Sequence, residues 1–323
     1  MKKLVILGNP RACERDIERF NAAGIEVIRA TYDNLAEQSK GAQVILTYGL
    51  GLKRDRIEQL DSSVKAIVQM FIGLDNFDAD ACTERGIMLC NNPDYGTEEV
   101  AAMAIALFMT ALRKTTIYDR QMKAGVWTKM YENNNPYPAR RLSCLTFGVI
   151  GFGGIGRNAA RMGKGLGMKV IAYDPYCPEQ VFEDMGVEKV TLDEIWARSD
   201  AITLHSPLTP ETYHTVNAET IAKMKDKVII INTSRGAVVD EPALIEALKT
   251  GKVAAAGLDV FEKEPLPEDS PLKTIDTAIL APHTAFHTTE SFNDIENLSG
   301  DIAMDIFEGK IPRSCVNRKA LGL

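Results

Sequence analysis

Leu145-Thr146-Phe147-Gly148-Val149-Ile150-Gly151-Phe152-Gly153-Gly154-Ile155-Gly156 decides how this chain folds. An apolar, β-forming run reaches a glycine-rich turn. Arg157 to Leu166 follows as a helix-compatible stretch that stops at Gly167. A second strand, Met168-Lys169-Val170-Ile171-Ala172-Tyr173, then ends on Asp174. Strand, glycine turn, helix, strand and terminal acid are the parts of a dinucleotide-binding unit. Gly151 permits the tight turn, Gly153 lets backbone N–H groups approach a pyrophosphate, and Gly156 lets helix and strand pack closely. Gly154 and Ile155 open the helix, whose N-terminus offers partial positive charge to phosphates. A carboxylate at 174 accepts hydrogen bonds from both hydroxyls of an adenine ribose and repels a 2′-phosphate, so the cofactor read from the sequence is NAD rather than NADP. A purely structural turn leaves the acid unexplained.

Almost half of the 323 residues precede this turn, enough for another domain with its own core. Apolar runs at Leu4–Leu7, Ile25–Ile28, Val44–Leu46, Ala66–Val68 and Ile87–Cys90 alternate with helix-compatible stretches at Cys13–Ala23, Lys53–Leu60 and Asp78–Arg85. The rhythm repeats around the fingerprint, with strands expected at Phe147–Ile150, Lys169–Tyr173, Ala201–Leu204, Lys227–Ile231, Ala254–Leu258 and Ala278–Leu280, and a helix at Glu241–Lys249. Such alternation predicts an α/β fold of two parallel-sheet domains, Rossmann-like or flavodoxin-like. Thr97 to Lys123 reads as one long connecting helix and Thr288 to Glu308 as another near the C-terminus. The short tail after it is too small for a domain and is expected to pack back on the first one. Residues 1–98 with 289–323 are then a substrate-binding domain and 99–288 the NAD-binding domain, with the active site expected in the cleft between them.

Bulk properties narrow the function. A formal charge of −7 argues against general nucleic-acid binding. The six cysteines, at 13, 82, 90, 144, 177 and 315, form no CxxC pair, which fits reduced thiols in a cytoplasm. The apolar start at Leu4 stops at Gly8-Asn9-Pro10-Arg11, too early for a secretory signal, and Val100 to Leu112 falls short of the ~20 residues of a membrane span. His283 and His287 lie four apart but lack the HExxH pattern, so no metal site is expected. Trp127 and Trp196 read as core residues.

Three residues follow the nucleotide motif, each just beyond an expected strand: Arg235, Glu264 and His283. In an open α/β sheet the carboxyl ends of strands line the ligand crevice. A guanidinium orients a substrate carboxylate and carbonyl, and a histidine gives a proton to the carbonyl oxygen as hydride reaches its carbon. A carboxylate on the other ring nitrogen favours the imidazolium and fixes the tautomer. Singly, these residues suit a loop salt bridge or a helix cap. Together, after a nucleotide motif, they suit hydride transfer.

GVIGFGGIGR at 148–157, INTSRGAVVDEPAL at 231–244, AGLDVFEKEP at 256–265 and APHTAF at 281–286 resemble the D-isomer-specific 2-hydroxyacid dehydrogenases from end to end. The resemblance implies Arg235, Glu264 and His283 as the catalytic set, with His283 the proton donor. It implies cofactor contacts at Gly154-Ile155, Asp174, Ser206-Pro207, Thr212, Thr233-Ser234 and Asp259. A homodimer acting on a small 2-oxo or 2-hydroxy acid is expected from it, and the Asn- and Pro-rich stretch Tyr131 to Arg141 is either an exposed loop or part of the dimer contact.

The branch is less sharply written. HTAF at 283–286 and Asn91-Asn92-Pro93-Asp94-Tyr95 are similar to D-lactate dehydrogenases, which implies Tyr95 and Phe286 at the substrate. Asp174-Pro175-Tyr176, Glu98-Glu99 and Ile311-Pro312 to Val316-Asn317 are similar to C-terminal-binding proteins, NAD(H)-sensing scaffolds of the same fold. Hydroxypyruvate or glyoxylate reductases and D-3-phosphoglycerate dehydrogenases remain open, although the chain stops before the regulatory domain some of the latter carry. Two departures stand out. Phe71-Ile72-Gly73 replaces a smaller loop and crowds the substrate, and Ala102-Met103 stands where Glu followed by His or Leu is common.

Overall fold

The computed structural model describes residues 2–9, 14–127 and 139–323. It divides into two compact units, Met1–Gly96 with His287–Leu323, and Thr97–Phe286. Much of the Tyr131–Arg141 stretch, through Pro138, lies outside the described residues.

The first unit is built on five parallel strands, β1 (Lys2–Leu7), β2 (Ile25–Ala30), β3 (Val44–Thr47), β4 (Ala66–Gln69) and β5 (Met88–Cys90), in the order β2-β1-β3-β4-β5. β3 and β4 are buried at every position, because helices cover both faces of such a sheet. The Thr289–Phe307 helix lies against β3 and β4. Beyond it, the chain returns to the sheet edge, where Val316 N–H donates to Leu89 O at 2.9 Å. The Asn317 side chain continues this pairing. Its Oδ1 accepts from Leu89 N–H at 2.9 Å and its Nδ2 donates to Ile87 O at 2.9 Å.

The second unit has seven parallel strands, β6 (Thr146–Ile150), β7 (Lys169–Tyr173), β8 (Glu188–Lys189), β9 (Ala201–Leu204), β10 (Val228–Asn232), β11 (Val253–Leu258) and β12 (Ala278–Leu280), ordered β12-β11-β10-β9-β6-β7-β8. The order reverses between β6 and β9, the place where doubly wound sheets bind ligands. β10 shows why the sheet is central. Val228 and Ile230 enter one core with Trp196, Ile202 and Leu244, while Ile229 and Ile231 enter the opposite core with Phe108, Phe147 and Val149. Each such side chain contributes roughly 1.5–3 kcal/mol by leaving water.

The structure departs from the sequence reading in three places. The single helix expected over Thr97 to Lys123 is two, Thr97–Arg113 and Thr115–Lys123, bent by 61° at Lys114, whose φ is +54°. The apolar stripe explains the break. Val100, Ala104, Leu107, Phe108 and Ala111 are buried, whereas the second helix has no buried residue to hold it in line. Trp127, read as core, is 75% exposed just past that second helix, while Trp196 is 1% exposed. β8 is only two charged residues and carries no apolar pattern. No single helix among the described residues is long and apolar enough to cross a membrane.

Candidate active site

The glycine turn connects β6 to the Gly154–Gly165 helix. Gly151 has φ +88°, and a Cβ there would lie 2.7 Å from the backbone of His205 and Ser206, which follow β9. A Cβ on Gly156 would lie 1.9 Å from Gly151 O, so this helix can meet the turn only without a side chain. Gly153 differs: nothing lies within 4 Å of the place its Cβ would take. Gly154 and Ile155 form the first helical turn.

Asp174, at the end of β7, is fixed by backbone donors. Its carboxylate accepts from Phe152 N–H at 2.7 Å, Tyr176 N–H at 2.8 Å and Cys177 N–H at 3.0 Å. The acid is thereby tied to the glycine turn. Ser206 and Thr233 are buried, and neither hydroxyl has a hydrogen-bond partner. Buried polar atoms of this kind need an explanation, and a polar ligand is one. Thr212 braces its own loop, its Oγ1 donating to Pro207 O at 2.6 Å. Ser234 donates through N–H and Oγ to Asn232 Oδ1 at 3.0 and 2.8 Å. An open turn at a helix N-terminus, a fixed acid and two orphaned hydroxyls fit NAD.

The catalytic candidates converge at the carboxyl ends of β10, β11 and β12. His283 Nδ1 lies 2.7 Å from Glu264 Oε2, and Glu264 Oε1 accepts from Phe261 N–H at 3.0 Å. An ionised carboxylate only accepts, so Nδ1 carries the proton. That bond raises the His283 pKa above the ordinary histidine value, against the opposing effects of burial and of the Arg235 charge. Burial pushes Glu264 upward, but the His283 bond, the Phe261 N–H and the charges of His283 and Arg235 bring it below the usual glutamate value. Arg235 sits close enough to act on both, its Nη1 donating to Ser234 O at 2.8 Å. Gly236 sets this approach, since a Cβ there would lie 1.9 Å from the Phe261 carbonyl group.

His283 has φ +55°, a strained conformation that persists only where neighbours impose it. Asp259 supplies the constraint. Its carboxylate accepts from Thr284 N–H and Ala285 N–H, both at 2.9 Å, and its carbonyl accepts from His283 N–H at 2.8 Å. Burial pushes the Asp259 pKa up, and these two backbone donors oppose that.

The residues implied for the substrate fall in different units. Phe286 closes the second unit. In the first unit, Phe71 packs edge-on against Tyr48 and Tyr95, with ring centroids 4.9 and 5.7 Å apart. The Phe71-Ile72-Gly73 segment is held there by Asn91 Nδ2 donating to Ile72 O at 2.8 Å. His287 packs against Phe292 in the same unit. No group of three or more His, Cys, Asp or Glu among the described residues suits a metal ion.

Sequence reasoning missed Asn232. Its Nδ2 donates to Arg235 O at 2.8 Å while its Oδ1 holds Ser234, so it shapes the whole arginine loop. Its place at the end of an all-apolar strand was the available signal. His205 was also missed. Desolvation of its ring brings the pKa down to about 3, and Nε2 lies 2.9 Å from Thr203 Oγ1, so a neutral ring follows β9.

Comparison with known proteins shows the family. Residues 105–285, more than half the chain, match the D-isomer specific 2-hydroxyacid dehydrogenase NAD-binding domain. D-3-phosphoglycerate dehydrogenase of Methanocaldococcus jannaschii is 39% identical over 289 residues, 89% of this chain and 54% of that protein. This chain therefore spans about half the length of that relative. A glyoxylate reductase from Paecilomyes thermophila superposes with a TM-score of 0.88 at 30% identity, covering 98% of this chain and 99% of the other. D-lactate dehydrogenase from Aquifex aeolicus, solved with NAD and lactic acid, gives a TM-score of 0.80 at 30% identity over 95% and 96% of the two chains. The chain belongs to the D-isomer-specific 2-hydroxyacid dehydrogenases, a family of NAD-dependent oxidoreductases, and residues 105–285 are its NAD-binding domain.

Gly153 separates a cofactor role from a folding role. Because space around it is open, Gly153→Ala is expected to keep the wild-type melting temperature yet bind NADH at least tenfold more weakly by fluorescence titration. Unchanged affinity would remove Gly153 from the pyrophosphate site.

Proposed function

We propose that the protein reduces a small 2-oxo acid to the D-2-hydroxy acid. The observation that carries this reading is the 2.7 Å bond between His283 and Glu264, with Arg235 beside them. Bound NADH supplies the hydride. Arg235 holds the substrate carboxylate and orients the carbonyl, a task suited to a planar guanidinium. His283, protonated, donates from Nε2 to the carbonyl oxygen, while Glu264 keeps Nδ1–H in place and stabilises the imidazolium. Gly151, Gly153 and Gly156 with the helix N-terminus cradle the pyrophosphate, and Asp174 takes the adenine ribose. Ser206, Thr212, Thr233, Ser234 and Asp259 complete the cofactor contacts that the family resemblance implies.

Within this class we favour pyruvate and other 2-oxo acids with small apolar side chains. The aromatic group of Tyr48, Phe71 and Tyr95 supports that choice. So does the absence of Lys or Arg from residues 69–77 and 91–96. A phosphate there would lose hydration against aromatic rings, and the neighbouring cations are already engaged, Lys53 with Asp75 O and Arg313 with the Asp94 carboxylate. A cytoplasmic homodimer is the accompanying expectation. It rests on the family resemblance and on cysteines that form no CxxC pair.

The pH dependence follows from His283. Reduction uses the protonated ring, so its rate falls as pH rises through the His283 pKa, which lies above the ordinary histidine value. Glu264→Gln removes the stabilising charge and is expected to move this alkaline limit to lower pH. An unmoved limit in kcat/KM would contradict the assignment.

Substrate choice is tested by NADH oxidation across a panel. Pyruvate is expected to exceed hydroxypyruvate and 3-phosphohydroxypyruvate in kcat/KM, and Phe71→Ala to extend activity toward longer side chains. One methylene of lost room is worth ~1–3 kcal/mol. Preference for the phosphorylated acid would overturn the pocket reading. No turnover on any 2-oxo acid, with NADH still bound, would overturn the enzyme reading in favour of an NAD(H)-sensing scaffold.

A further inference from the structure

The first unit is assembled from two stretches of chain separated by nearly two hundred residues, and a pair of cysteines marks their junction. Cys90 ends β5, and Cys315 lies in the segment that returns after the Thr289–Phe307 helix. The two form an isolated antiparallel bridge. Its hydrogen bonds run from Val316 N–H to Leu89 O at 2.9 Å and from Asn91 N–H to Ser314 O at 3.4 Å. Both bonds flank the cysteines, which makes Cys90 and Cys315 the non-hydrogen-bonded pair. Facing residues at such a position have Cα atoms about 4.5 Å apart with side chains close together. A disulfide accepts Cα separations of about 4.4–6.8 Å. Both thiols are free in this structure, and both are buried, Cys90 fully and Cys315 with 6% exposure.

We propose that Cys90 and Cys315 form a reversible disulfide that fastens the C-terminal segment to β5. The two sulfurs are unequal, which sets the order of events. The Cys315 thiol donates to Asn317 Oδ1 at 3.4 Å, while the Cys90 thiol beside it, the Asn317 N–H and the Arg318 charge favour its ionised form. These interactions hold the Cys315 thiol below the usual cysteine range and push Cys90 above it. Cys315, the more exposed of the two, is thus the attacking group and Cys90 the resolving one.

A peroxide is the oxidant. Cys315 thiolate attacks one peroxide oxygen, the O–O bond breaks, and a sulfenic acid forms as the other oxygen leaves and takes up a proton as water. Cys90 sulfur then displaces the sulfenic hydroxyl, and its own proton leaves with that hydroxyl as a second water. Two thiols and one hydrogen peroxide become one disulfide and two waters, with the sulfurs giving up two electrons. Thiol exchange reverses the bond. The bond would close a loop that contains the whole second unit, so it restricts the unfolded chain strongly. β5 also leads directly to Asn91, which holds the Phe71-Ile72-Gly73 segment through Ile72 O.

The test treats the wild-type protein with graded hydrogen peroxide, followed by alkylation and peptide mapping without reductant. The expected product is one intramolecular cross-link between the peptides carrying Cys90 and Cys315. A melting temperature several degrees higher should accompany it, and dithiothreitol should return the untreated value. Cys144, exposed, and Cys82, whose burial pushes its thiol up to about 12, serve as internal references for reactive and inert thiols. Cys315→Ser and Cys90→Ser should each abolish the cross-link. Labelling of the wild type decides the matter even where a variant folds poorly. Full alkylation of Cys90 and Cys315 at peroxide levels that oxidise Cys144 would overturn the proposal. So would pairing with a different cysteine, or a cross-link that leaves the melting temperature unchanged.

Discussion

Asp259 ties together three strand ends, and the arrangement of the candidate site depends on it. It is 1% exposed at the close of β11. Its N–H donates to Asn232 O of β10 at 3.0 Å, and its carboxylate and carbonyl take the N–H groups of His283, Thr284 and Ala285 after β12. A buried carboxylate is costly unless its oxygens are satisfied, so the Thr284 and Ala285 donors are what let the acid remain there. In return, the donors force His283 into positive φ and aim its ring at Glu264. The loop carrying Arg235 is coupled to the same point through Asn232, whose side-chain amide holds the Arg235 carbonyl.

This constraint explains how a fold shared by many proteins can hold a specific site. The sheet supplies only rigid strand ends, buried on both faces by alternating residues of β10 and its neighbours. Chemistry comes from short loops whose backbone donors are spent on a few polar side chains, chiefly Asn232, Asp259 and Asp174. Where such groups are satisfied internally they brace the loops. Ser206, against the glycine turn, and Thr233, two residues before Arg235, keep buried hydroxyls without a protein partner.

Much of this was legible in the sequence because it is local. The glycine turn, its flanking strands and Asp174 follow one another in the chain, and Gly151 and Gly156 meet the close approaches their spacing implies. Arg235, Glu264 and His283 could be grouped because each follows an apolar run and strand ends share one edge of a parallel sheet. What was not legible depends on partners distant in sequence. The break at Lys114 reflects where burial stops on a helix, and Trp127 lies beyond that limit. Asp259 entered only through resemblance, as a cofactor contact, and its bracing of His283 required the three-dimensional pairing of β11 with β12. Cys90 and Cys315, 225 residues apart with no motif between them, could not be paired from spacing at all.

The most direct test of the His283–Glu264 pair is nitrogen NMR of the His283 imidazole, assigned with His283→Gln and followed across pH in the wild-type protein. The expected result is a titration midpoint above that of an ordinary histidine and, once the ring is neutral, a proton on Nδ1 held by Glu264, leaving Nε2 to face substrate. A midpoint at or below the ordinary value, or a neutral ring protonated on Nε2, would contradict it.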